Sequence, residues 1–162
     1  MMNDTKSKKE FLTKDVMELL KNLKSEAEPA FGLMTAQHMV EHLSWTLKGC
    51  TKRVGEVENP PTKGQLGFRR FIEKGAILQH RPSDKTKADL PELKFENLEK
   101  AIEQVGVAVD RFYTHFEAYP DFKCYNKFFG ELSFDELELF NYNHYRYHLW
   151  QFGLIEKYPN NT

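Results

Sequence analysis

Leu98, Ile102, Val105, Val109, Phe112 and Phe116 recur at intervals alternating between four and three residues across the stretch from Phe95 to Phe116. Side chains at that period share one face of an α-helix, whereas a strand turns its side chains to alternate faces. The spacing predicts a long helix with an apolar stripe, and such a stripe needs partners to bury it. Three other segments supply them. Between Phe11 and Leu23, Leu12, Val16, Leu19 and Leu23 follow the same rhythm. A second helix is expected after Thr35, an N-cap residue, with Ala36, Val40, Leu43 and Leu47 as its stripe. Pro29 and Gly32 separate it from the first. A fourth helix is expected from Ser133, which forms a capping box with Glu136, to a stop at Gly153.

These four helices, with no segment reading as a strand, predict an all-α fold: an antiparallel four-helix bundle in a single domain spanning residues 1–162. Residues 1–8 are polar and are expected to form a disordered tail. Residues 49–91 carry Pro60-Pro61, several glycines and the run SDKTKAD, and are expected to form a long crossover between helices two and three. One short helix is expected within it, around Gln65 to Lys74. With 40% apolar and 14% aromatic residues, the chain can build one sizeable core.

Charge and composition exclude several functions. Lys and Arg total 23 against 24 for Asp and Glu, so no net field favours nucleic acid or an anionic membrane. No stretch approaches the roughly 20 apolar residues of a membrane span, and MMNDTKSKKE lacks the apolar region of a signal peptide. A cytoplasmic location is expected. Cys50 and Cys124 are far apart and form no CxxC pair, so both are expected to be reduced thiols.

The chemistry is concentrated on the fourth helix, in FDELELFNYNHYRYHLWQFGL. His144 and His148 are four residues apart and project from one face about one turn apart. Leu137, Phe140, Gln151 and Ile155 fall within roughly 40° of His144 on that face, while Asp135, Glu138 and Arg146 lie elsewhere. The two imidazoles are therefore aimed at the bundle interior, where each nitrogen needs a partner. Two readings satisfy that need: hydrogen bonds to tyrosines or backbone carbonyls, or a shared metal ion. A third ligand must come from another helix, and the second helix offers His38 and His42. His42 lies on the shoulder of its apolar stripe, roughly 120° from the centre, and His38 points almost directly away from it. His42 is the better placed; His38 and Glu41 are expected in solvent.

One histidine inside the second helix, followed by H-x3-H-x2-Q on the last, resembles the DinB/YfiT-like superfamily of metal-binding four-helix bundles. Those positions read here as His42, His144, His148 and Gln151. MTAQHMVEHL and FFGELSFDELELFNYNHYRYHLWQFGL are similar to an uncharacterised family of small bacterial domains within that superfamily. The resemblance implies a divalent metal held by His42, His144 and His148, commonly zinc or nickel and in some members iron; manganese is a further candidate. Three neutral ligands leave the full charge of the ion to polarise an oxygen, activate water or generate a thiolate. It also implies a small-molecule substrate and a low-molecular-weight thiol cofactor, hence a thiol-dependent transferase or a metal-assisted hydrolase. The alternative is a bundle that holds metal or a small molecule without catalysis.

Around that centre, Gln151 is one turn past His148 and suited to hydrogen-bond a ligating imidazole or a water. Tyr147, on the flank of the same face, can donate to a substrate oxygen. Lys52, Arg53, Lys63, Arg69, Arg70, His80 and Arg81 make the crossover locally basic, either as a solvated loop or as a cover that receives an anion. Trp45, Trp150, Leu139 and Leu149 lie off the core stripes, and a homodimer is one way to bury them.

Overall fold

The structure is a computed structural model that describes residues 7–158. These residues are mostly helical, as expected. The first helix, α1, begins at Ser7, whose hydroxyl accepts from the Glu10 N–H. It runs through Lys8–Glu10, a π-helical turn at Phe11–Asp15 and Val16–Leu20. Of the tail expected at 1–8, residues 1–6 lie outside the described residues, while Ser7 and Lys8 belong to the helix. The helix ends at Leu20, so Leu23 is buried from the turn beyond it.

Helix α2 spans Ala36–Gly49 with Thr35 as its cap, and Ala36, Val40, Leu43 and Leu47 are all buried. Helix α3, Lys63–Glu73, is the short helix expected in the crossover, closed at its start by a capping box between Thr62 and Gln65. Helix α4, Leu98–Ala118, carries the heptad; Asn97 caps it, and Val105, Val109, Phe112 and Phe116 are buried. Helix α5, Phe134–Gln151, starts at the predicted Ser133–Glu136 capping box. Beyond its end, Gly153 adopts a φ of 73°, with Gly153 N–H bonded to Trp150 O and Leu154 N–H to Leu149 O. That paired closure is what a left-handed residue at this position permits.

The most extensive packing is between α2 and α4, and α1 touches both α4 and α5, while α3 lies on α5. Leu12, Val16, Leu43, Leu47, Val105 and Phe112 join one core cluster. No helix among the described residues is long and apolar enough to cross a membrane.

The expectation of no strand is corrected. The aromatic loop after Pro120 contains a small antiparallel hairpin, β1 (Cys124–Asn126) and β2 (Gly130–Leu132). The Asn126 side chain accepts from the N–H groups of Phe128 and Phe129 to close its turn. Three-residue strands are too short to show an alternating pattern in sequence. The first half of the crossover is tied to the hairpin and to α5. Arg53 pairs with Glu131 at 2.8 Å, Arg69 with Glu136 at 3.4 Å, and the buried Gln65 donates to Lys127 O. Arg53 and Arg69 of the basic set thus hold the crossover to the hairpin and to α5.

At the end of the crossover, residues 91–95 form a strap across α2. His38 and Glu41, both expected in solvent, are its anchors. His38 Nε2 donates to Pro91 O at 2.9 Å, and the Glu41 carboxylate accepts from Lys94 N–H (2.8 Å) and Phe95 N–H (3.1 Å).

Candidate metal centre

Helices α2 and α5 bring His42, His144 and His148 together. His144 Nε2 stands 3.0 Å from His42 Nε2 and 3.1 Å from His148 Nε2, and all three ligand atoms lie within 4.8 Å of one another. His144 and His148 are each 6% exposed, and His42 is half-buried. The four-residue spacing on α5 sets the first pair, as expected. His42 reaches them from the shoulder of its stripe because an imidazole extends sideways from the helix over its neighbour. No Asp, Glu or Cys joins this group among the described residues.

His148 has a fixed tautomer. Gln151 Nε2 donates to the Phe31 carbonyl at 2.8 Å, which orients the amide so that its Oε1 faces His148 Nδ1 at 2.7 Å. That oxygen only accepts, so Nδ1 carries the proton and Nε2 presents a lone pair to the cluster. Gln151 thus makes the hydrogen bond to His148 that its position one turn on suggested. Gly32 makes the arrangement feasible: at φ +88° its Cα passes so close that a Cβ would lie 2.9 Å from Gln151 Nε2. Ala30 N–H also bonds to Gln151 O, stitching this loop to the end of α5.

The lone pair on His148 creates a conflict over one proton. Within the cluster only a proton on His144 Nε2 can satisfy it, and His42 Nε2, 3.0 Å from the same atom, must then share that proton through its own lone pair. Among the described residues His144 Nδ1 is buried without a hydrogen-bond partner, so the ring gains nothing on its other side. A cation among the three Nε2 atoms removes the conflict, because every ring then points a lone pair at it. With metal–nitrogen bonds of 2.0–2.1 Å, a tetrahedral site has ligand-to-ligand edges of about 3.3–3.4 Å. The two observed contacts need open by only a few tenths of an ångström.

The electrostatics favour the ligand-ready state. Burial lowers the His42 pKa. His144 is held well below the usual histidine range by burial, then by His148 and His42. Burial and His42 bring His148 to about 3, against the opposing effect of its bond to Gln151. All three rings are neutral at pH 7.

Aromatic rings wall the cluster. Phe140 stacks on His144 with centroids 5.2 Å apart and planes 17° from parallel, and Tyr147 meets His148 at 5.0 Å. Tyr147 itself is 9% exposed and packs against Phe31, Trp150 and Tyr158. Burial, then Tyr158, raises its pKa, so it keeps its proton. His80 of the crossover meets Phe31 at 5.1 Å with the rings tilted by 44°, which brings the crossover over this end of α5. On the other side, a cleft of about 360 Å³ borders His42 between α2 and the strap.

Sequence reasoning missed Phe31, Gly32 and the two strap anchors. Gly32 next to an aromatic, between two helices, was the available signal for a close approach. Arg146 was placed away from the interior, yet it is buried between the rings of Tyr142 (4.9 Å) and Tyr158 (5.6 Å) with Nη1 bonded to Asn143 Oδ1. No protein-family model, no curated protein and no solved structure matches the chain.

Proposed function

We propose that His42, His144 and His148 hold a divalent metal, zinc or nickel in preference to iron or manganese, in a DinB-like antiparallel bundle formed by α1, α2, α4 and α5. The observation that carries this reading is the convergence of three neutral imidazoles whose lone-pair conflict a cation resolves. The long connection between α2 and α4, with α1 touching both α4 and α5, supports the bundle. Among the described residues the group holds imidazoles alone, which suit zinc and nickel, and it lacks the carboxylate that manganese and non-haem iron sites use.

The activity that fits is that of a metal-dependent enzyme acting on a small molecule, by thiol-dependent transfer or by metal-assisted hydrolysis. The ion would supply a Lewis acid at a site with no ligand charge to weaken it. The chain supplies the rest: Gln151 fixes the donor face of His148, Phe140 and Tyr147 keep water from the α5 side, and the cleft beside His42 admits a substrate. Among the described residues no carboxylate stands within the cluster to act as a base, which favours transfer from a bound thiol over hydrolysis.

The burial of His144 and His148 favours a second reading, in which the ion braces α2 against α5 without catalysis. The experiment is to reconstitute the purified protein with zinc, nickel, iron or manganese, desalt it, and compare its metal content with that of His144→Ala. Retention of about one equivalent by the wild type alone supports the centre, and retention of none by the wild type overturns it. A metal-dependent thermal shift with a low-molecular-weight thiol separates the enzyme from the brace.

A further inference from the structure

The cleft beside His42 has a chemical polarity of its own. Its apolar walls are Met34, Trp45, Pro91 and Phe95, and it follows α2 from His38 past His42 to Lys48. Trp45 is 63% exposed there, a large aromatic surface left open next to a concavity. Six residues separate His42 from Lys48, which places them about 9 Å apart along the helix axis.

The Lys48 end is cationic. Lys48 Nζ lies 5.6 Å from the centroid of Phe95 and donates one hydrogen bond, to Gln104 Oε1 at 3.2 Å. Lys94 lines the same cleft, and neither lysine takes part in an ion pair among the described residues. Burial, then Arg111, Lys94 and Lys52, lowers the Lys48 pKa, which shows how many cations surround it. The carboxylate most available to answer them, Glu41, is already committed to Lys94 N–H, Phe95 N–H and the Gln37 amide. Glu92 also lines the cleft, at its exposed strap edge.

We propose that this cleft binds a small molecule with an aromatic or aliphatic body and a carboxylate end, the body lying against Trp45 and Phe95 and the carboxylate meeting Lys48. The volume suits a ligand of that size, and an apolar slot with one charged group at its end fixes orientation as well as class. The proposal names the substrate class for the metal-centre reading and rests on it for reactivity, because the opposite end of the ligand then lies against His42. Binding itself depends on the cleft alone.

The test uses 4-phenylbutanoate and its uncharged analogue 4-phenylbutan-1-ol as probes, titrated by calorimetry into zinc-loaded and metal-stripped protein. A charge-assisted bond to Lys48 should favour the acid by about tenfold in both forms, a preference that weakens with added salt. Lys48→Gln should remove that preference while leaving alcohol binding unchanged, and Lys48→Arg should keep it. Equal binding of acid and alcohol by the wild type, or binding of neither, overturns the proposal without recourse to any variant. A preference that survives Lys48→Gln assigns the carboxylate to another group, Lys94 or the metal, and one that vanishes when zinc is stripped assigns it to the metal; either result overturns the proposal. If the preference persists while zinc is not retained, the cleft stands and the metal centre falls.

Discussion

Helices α4 and α5 are of similar length and lie in the same molecule, yet they are held in opposite ways. Helix α4 buries hydrocarbon and aromatic rings along one stripe and leaves Glu103, Asp110 and Glu117 in water. Helix α5 is buried almost continuously from Asn141 to Leu149, and that stretch contains two asparagines, two histidines and an arginine. Apolar packing accounts for most of α4, with one polar tie to α5, the Tyr113 hydroxyl donating to Glu138 at 2.6 Å. In α5 each buried polar group needs a partner, and the partners are specific: Asn143 with Gly75 O, Tyr145 with Leu43 O, His148 with Gln151. Where a helix departs from the economical apolar solution, the departure marks the site.

The contrast can be broken at several points. The largest effect is expected in α4: Phe112→Ala should cost about 3–5 kcal/mol of stability in denaturant titrations, and by the same amount with or without zinc. An effect that grows with zinc would mean that the two helices are not separate in this sense. His144→Ala should instead abolish the stabilisation by zinc, about 2.7 kcal/mol at a free concentration one hundred times Kd. Gln151→Leu releases the His148 tautomer and should weaken zinc binding by about 10- to 100-fold in competition with a chelator, with the fold intact by circular dichroism.

The pH dependence should also divide the two helices. His42, His144 and His148 have folded pKa values below their unfolded values. The unfolded chain therefore takes up protons first, and metal-free protein should lose stability as pH falls from about 6.5 toward 3. The slope should approach about 1.4 kcal/mol per pH unit for each proton. His144→Ala should flatten it, and Phe112→Ala should leave it unchanged. The smallest effect is at the start of α5, where Ser133→Ala removes a cap and should cost about 1 kcal/mol.

How far each helix was legible follows from the same contrast. The heptad of α4 depends on residues three and four apart, and its stripe was read correctly from Leu98 to Phe116. The inward face of His144 and His148 was legible for the same reason. The burial of Arg146 was not, because the groups that cover this part of α5 come from far along the chain. Gly75 is 68 residues from its partner Asn143, and Leu78 is 80 residues from Tyr158, whose hydroxyl accepts its N–H. A helical wheel reports one helix and not what the crossover lays upon it. His42 illustrates the intermediate case: its position on a shoulder was clear, but its approach to α5 depends on how two helices pack. The roles of His38 and Glu41 as anchors depend on the strap at 91–95, whose sequence carries no periodicity.

The central claim concerns three nitrogen atoms, and crystals of the zinc-reconstituted protein test it most directly through anomalous scattering at the zinc edge. A single strong peak is expected about 2.0–2.1 Å from Nε2 of His42, His144 and His148. A cluster that remains without a peak, or a peak that forms at other residues, would contradict it.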